Sequence, residues 1–366
     1  MMRRIFHWGF TALLAIIGTQ EMSAQISDEK PNLEELYQQI DDAIDRSPQY
    51  VANRLTMIDR ARRDLQRENN QDRRLALAEE LFELYTSFKN DSALYFADLC
   101  SSLADSMQLK HTAGLYRSLK AHQCSNAGLY VESLNLLKKT DRQTLDREGL
   151  TKYYAALMHV YGELGSYSQQ TNEQRDYFQL QDSYRDSVLA VAEKGSEEYL
   201  HLKMDVLCAR QLYQDALAVS DSWLNKVREG THEIAYAAFY RSIVYDKLGN
   251  NTQLRYWLGV SALNDIKCAV NDQASLFMLA EKLCEDGDYD RAYRYMRFCE
   301  DCNRRFSPQL RNYQVRYVTS VMESVLENRQ TRCSQLLAIA CVVVLMLLAA
   351  VGWLLIRQRR GSRAAS

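Results

Sequence analysis

The stretch with Leu276, Leu279, Ala280 and Leu283 leading into Gly287-Asp288-Tyr289-Asp290-Arg291-Ala292 reads as a helix, a tight turn and a second helix. The four apolar residues recur at helical spacing and give the first helix one buried face. Gly287 stands where a helix ends in a left-handed residue. Ala292, small, lets the second helix approach the first closely.

The pattern recurs along the chain. Gly249 sits 38 residues earlier, after Tyr245-Asp246-Lys247-Leu248. Ala216, in Leu212-Tyr213-Gln214-Asp215-Ala216, occupies the site of Ala292 two units back. Leu164-Gly165-Ser166-Tyr167 repeats the turn after Tyr161, and Gly128-Leu129-Tyr130 repeats it once more. The earliest copy is Phe88-Lys89-Asn90-Asp91-Ser92-Ala93, with Asp91 able to cap the second helix. These copies predict six helix pairs between about 72 and 306, the unit near 150 being stretched through Tyr177, Leu180 and Val188.

These residues resemble the tetratricopeptide repeat, a helix–turn–helix of about 34 residues whose pairs stack because one pair cannot bury its own apolar face. The early-helix Trp is absent, and Gln170 and Leu254 take the small-Ala site. The chain also resembles a Bacteroidota family of exported, membrane-anchored helical-repeat proteins. Tyr50-Val51, Arg54, Ile58 and Tyr85 through Phe88-Lys89-Asn90-Asp91-Ser92-Ala93-Leu94-Tyr95 carry that likeness. It implies a sensor or regulator, here without the family's cytoplasmic segment, and it transfers no catalytic residue. A truncated remnant of a longer regulator is the alternative it leaves.

The flanks carry address signals. Arg3 and Arg4, an apolar run from Ile5 to Gly18, and Ala24 read as an export signal over residues 1–24. Residues 333–356 carry no charge, a length sufficient for a transmembrane helix. Arg357, Arg359, Arg360 and Arg363 follow, which places a tail at 357–366 in the cytoplasm. The expectation is an inner-membrane, single-pass protein with its bulk in the periplasm. Ser334, Ala338, Cys341, Leu345 and Gly352 share a face that would suit a homodimer through the membrane helix.

Residues 25–71 are expected to form a helical hairpin, with Ser47-Pro48 starting its second helix. Ser307-Pro308 starts a connecting helix over 307–332. The predicted fold class is therefore an all-α, right-handed helical-repeat solenoid plus one C-terminal transmembrane helix.

With 366 residues, 47% of them hydrophobic, and only 3 Pro and 14 Gly, the composition suits such a chain. A net charge of −2 gives no basic excess for nucleic acid. Cys100, Cys124, Cys208, Cys268, Cys284, Cys299 and Cys302 lack the spacing of a disulfide scaffold. Cys299-Glu300-Asp301-Cys302 lies late in a helix with no strand beside it, which favours packing or a structural disulfide over redox catalysis or zinc. No HExxH, phosphate loop or nucleophile elbow occurs, so neither a cofactor nor a catalytic site is expected. An enzyme with an unrecognised site stays as the lesser alternative.

Register counting assigns the concave face. It places His122, His159 and His201 on first helices of consecutive repeats, with Phe82, Tyr85, Asp205, Tyr236, Phe239, Ile243, Asp246 and Glu281 facing the same groove. Aromatic, acidic and imidazole groups there suit a periplasmic protein or peptide. The competing reading assigns several of these side chains to packing between repeats.

Overall fold

A computed structural model describes residues 31–168, 172–228 and 230–306, together with 335, 339–342, 344–346 and 352. The chain divides into two compact units, Met1–Val315 and Arg316–Ser366. In the second unit the described residues are helical, and Ile339, Val342, Val344, Leu345 and Met346 are exposed.

The described part of the first unit is a run of α-helices. Six pairs stack in order: α2 (Gln71–Thr86) on α3 (Asn90–Ser106), α4 (Lys110–Asn126) on α5 (Tyr130–Lys139), and α6 (Arg147–Tyr167) on α7 (Asn172–Val191). Then follow α8 (Glu197–Ala209) on α9 (Tyr213–Leu224), α10 (His232–Leu248) on α11 (Asn251–Lys267), and α12 (Ala274–Glu285) on α13 (Tyr289–Phe306). Side chains of Asn70, Asp146, Ser196 and Asn250 cap their helices by accepting from a backbone N–H three residues on.

The turns show why the pairs form where they do. Gly249 and Gly287 have φ of 70° and 86°, left-handed values that glycine adopts without a Cβ clash. Each donates to the carbonyl three residues back, and the following N–H reaches five back, which satisfies the last carbonyls of the helix. Ala216 and Ala292 are fully buried, and Leu254 fills the equivalent site in α11.

Two local expectations are corrected. Gly165 is not a turn residue: α6 runs on to Tyr167. Its role is close packing, since a Cβ there would sit 2.8 Å from the Phe178 ring of α7. Ser47-Pro48 does not start a second helix either, because α1 runs unbroken from Leu33 to Arg67 with Pro48 inside it.

An internal Pro costs about 3 kcal/mol, and buried contacts on both sides of it offset that cost. Before Pro48, Leu36 meets Gly259 of α11 and Tyr37 accepts from the Tyr295 hydroxyl of α13 at 3.3 Å. After it, Ile58 and Ala61 enter the apolar cluster of α2 and α3.

The consequence is closure. At about 1.5 Å per residue α1 is some 50 Å long, and it bridges the first repeat and the last two. Arg291 of α13 pairs with Glu34 at 2.8 Å and with Asp41 at 3.4 Å, and Arg294 pairs with Asp41 and Asp45. At the other seam, Asn271 donates its backbone N–H to the Ser87 carbonyl and its side-chain amide to the Phe88 carbonyl. The six pairs and α1 therefore return on themselves within this unit.

No helix among the described residues is long and apolar enough to cross a membrane. This corrects the expected fold class: the described residues form an all-helical solenoid, and no transmembrane helix is found among them. The segments behind the leader, connecting-helix and tail expectations (1–24, 307–332 and 357–366) lie outside the described residues. So does most of 333–356.

Candidate functional site

First helices of the first five pairs line a concave cavity of about 530 Å³, within the range of small-ligand sites. Helical spacing decides which side chains reach it. From α2 come Phe82 and Thr86, from α4 His122 and Gln123, and from α6 Lys152, Ala155 and Met158. From α8 come Glu197, Glu198, His201 and Asp205, and from α10 Tyr236, Tyr240, Ile243 and Lys247. Gln181 and Arg185 of α7 and Tyr213 of α9 also line it.

One side is aromatic. His201 stacks on Tyr240 at 4.8 Å and meets Tyr236 edge-on at 5.6 Å. Trp223 of α9 backs both tyrosines. His201 Nδ1 donates to the Glu197 carbonyl at 3.0 Å, which fixes the ring. Burial pushes the imidazole below its ordinary pKa against the pull of Asp205, so the ring is neutral near pH 7.

The adjoining side is charged. Lys152 hydrogen-bonds and pairs with Glu198. Burial raises the Glu198 carboxyl, but the ammonium of Lys152 outweighs it and the net shift is downward. Burial likewise lowers Lys152, and Glu198 more than reverses that. Glu197 has no such partner. Burial, assisted by the neighbouring Glu198 charge, pushes it up to about 8, and its Oε1 is buried with no hydrogen-bond partner.

Of the groove residues assigned by register, Phe82, His122, His201, Asp205, Tyr236 and Ile243 line this cavity. The others lie elsewhere. Tyr85 is buried between helices, stacked on Phe96 at 5.5 Å. His159 is buried with Nδ1 2.8 Å from the Ser125 hydroxyl, and its ring touches His122 at 4.2 Å. Phe239 is buried against Tyr240. Asp246 is half-buried in the last turn of α10, and Glu281 is half-buried on α12.

Lys152, Glu197, Glu198 and Tyr240 were missed. Spacing could have found three of them, since Glu197 and Glu198 stand four and three residues before His201, and Tyr240 four after Tyr236.

The seven cysteines between Cys100 and Cys302 are unpaired, including Cys299 and Cys302, both buried in α13. Among the described residues no group of three or more His, Cys, Asp or Glu side chains is placed to hold a metal ion.

Residues 44–317 match the model of the SusR N-terminal TPR domain. The chain belongs to that family. The match spans α2 to α13 and most of α1, so the stacked helix pairs are the SusR-type TPR domain, while Glu34, Leu36, Tyr37 and Asp41 of α1 precede the matched residues. No curated protein matches the chain. Among solved structures, it is similar to a chain in the crystal structure of a Rap protein complexed with competence and sporulation factor. The two share 14% identity and a TM-score of 0.43, over 81% of this chain and 88% of that one. That likeness is too loose to bear on function. As a TPR-like scaffold, the SusR-type domain is a protein–protein interaction module.

Proposed function

We propose that this SusR-type domain binds an extended segment of a protein or peptide partner in its concave face, as the input part of a signalling or regulatory system. The observation that carries the reading is the cavity of about 530 Å³, walled by Tyr236, Tyr240 and His201 on one side and by charged groups on the other. Closure by α1 holds those walls in place before the partner arrives, and preorganisation lowers the ordering cost of binding. The leader pattern at 1–24 supports a partner met outside the cytoplasm.

The test is affinity selection of a random heptapeptide library on the purified full chain, beside the variant Met158→Trp, which narrows the cavity. Peptides retained by the natural protein and lost from the variant support the reading. Equal retention by both, or no retention by either, overturns it.

A further inference from the structure

We propose that Glu197, with Asp205 two turns further along α8 adding its negative field, forms a subsite for a cationic nitrogen of the bound segment: the ammonium or guanidinium of a basic side chain, or a free amino terminus. This rests on the reading of the cavity as a peptide site and names the chemistry that site selects.

The geometry carries it. Glu197 lines the cavity, and its Oε1 is buried without a hydrogen-bond partner. A buried polar atom left unsatisfied is costly and uncommon, and at a cavity wall it marks where a ligand donor belongs. The charged and titratable neighbours decide which donor. Lys152 of α6 is committed to Glu198. Arg185 of α7 is held by Asp182 at 2.7 Å. His201 is neutral, and Glu233 at the start of α10 adds another acid near Glu197. Lys247, in the last turn of α10, is exposed.

Lys152 is paired with Glu198 and Arg185 with Asp182, which leaves Glu197 and Asp205 as the lining acids outside those pairs, inside low-dielectric walls that strengthen attraction to a cation. Tyr236 and Tyr240, buried in the aromatic wall, leave their rims at the cavity as apolar contact for an alkylammonium stem.

Proton balance follows. With the cavity empty, Glu197 holds its proton near neutral pH, since burial has raised it to about 8. An arriving cation favours the carboxylate, so the proton leaves to solvent and an ion pair forms in its place. A lysine ammonium, with an ordinary pKa of about 10.4, stays charged throughout this range. Binding therefore releases close to one proton at pH 7 and tightens about tenfold or more between pH 6.5 and 8.5.

The experiment uses the full chain and Glu197→Gln, which keeps the shape of the protonated acid and cannot ionise. Probes are the selected heptapeptides, the same peptides acetylated on every amine, and n-butylammonium and N-ethylguanidinium as free cations. Titration calorimetry in phosphate and in Tris reads affinity and proton release together. Expected are a lysine, arginine or free amino terminus common to the peptides, and a loss of about tenfold or more on acetylating an amine-bearing peptide or on Glu197→Gln.

Peptides that bind in the cavity without any cationic group, or bind Glu197→Gln as tightly as the natural chain, overturn the subsite and leave the peptide reading standing. If no peptide binds, Glu197-dependent binding of n-butylammonium supports the subsite with a free amine as its occupant, and the peptide reading falls. If none of the probes binds, both are overturned.

Discussion

The side-chain amide of Asn271 donates to the Phe88 carbonyl at 2.6 Å across 183 residues of chain. Beside that seam, Arg54 of α1 donates to the carbonyl of Leu84 at 3.0 Å and to that of Cys268 at 3.0 Å. One guanidinium thus holds the end of α2 to the end of α11. Burial lowers its pKa to about 10, so it remains a cation, satisfied chiefly by carbonyl dipoles.

Arg54→Ala is expected to cost about 2–4 kcal/mol, since it leaves buried carbonyls unpaired at a seam between distant repeats. Arg54→Lys should recover only part, because a single ammonium cannot span both carbonyls. Denaturant unfolding followed by circular dichroism measures this. A loss under about 0.5 kcal/mol would show that the seam does not stabilise the closed form.

Arg241 should be equally sensitive for a different reason. Its side chain is 4% exposed, pairs with Asp221 at 2.5 Å and lies 4.8 Å over the Trp257 ring. Arg241→Ala leaves Asp221, 45% exposed, to water and opens a void between α10, α9 and α11, for a loss of about 2–3 kcal/mol, mostly from lost packing. Arg241→Lys keeps the charge and loses the planar stacking, so it should restore less than half. Thermal melting of the three proteins decides it.

Much of the fold was legible in the sequence because its signals are local. Gly249 and Gly287 announce turns within a few residues of the helices they end. Pro48 misled because what keeps α1 continuous is distant in sequence: Gly259 and Tyr295 on one side of the proline, and the α2–α3 cluster on the other. Gly165 misled because a glycine needed for close approach to Phe178 looks the same as one needed for a turn. At the site, register alone brought His201, Asp205 and Tyr236 to one cavity. It passed over Glu197 and Glu198 because acids just after a capping Ser196 are explained by the helix dipole alone.

Glu197 gives the domain a pH signature. Its ordinary value is 4.5 and its folded value about 8, so the folded state holds the proton more tightly than the unfolded chain. Its contribution is fully present below about pH 4.5 and is lost as pH rises through about 8. Glu197→Gln removes that loss. It should exceed the natural chain in stability at pH 8.5 by about 1–3 kcal/mol, a figure reduced for screening by water in the cavity, with the advantage vanishing near pH 5. Chemical denaturation across pH 5–9 checks the crossing. Parallel curves would contradict it.

Gly165→Ala should destabilise although alanine is the better helix former. The propensity gain of about 1 kcal/mol is outweighed by pushing the Phe178 ring off α6, at about 2–3 kcal/mol. Adding Phe178→Leu to Gly165→Ala should recover part of the loss. Denaturant midpoints of the two variants and the natural chain report it, and a stabilising Gly165→Ala would show that the contact yields freely.

The Cys299 and Cys302 thiols should be inert in the folded protein. Burial pushes Cys302 up to about 12 against the pull of Arg305, and burial raises Cys299 well above the ordinary thiol range. Few thiolates form at pH 8, and reaction depends on the thiolate. Alkylation read by mass spectrometry should label both only on the timescale of unfolding. Labelling within seconds of mixing would show this end of α13 to be open.

Photo-crosslinking tests the concave face most directly as the binding surface. A benzoylphenylalanine placed at Lys247, on the cavity wall, is expected to capture a selected peptide. The same group at Tyr95, 60% exposed on α3 and away from the cavity, is not. Capture from Tyr95 with none from Lys247 would contradict a partner held inside the closed ring of helices.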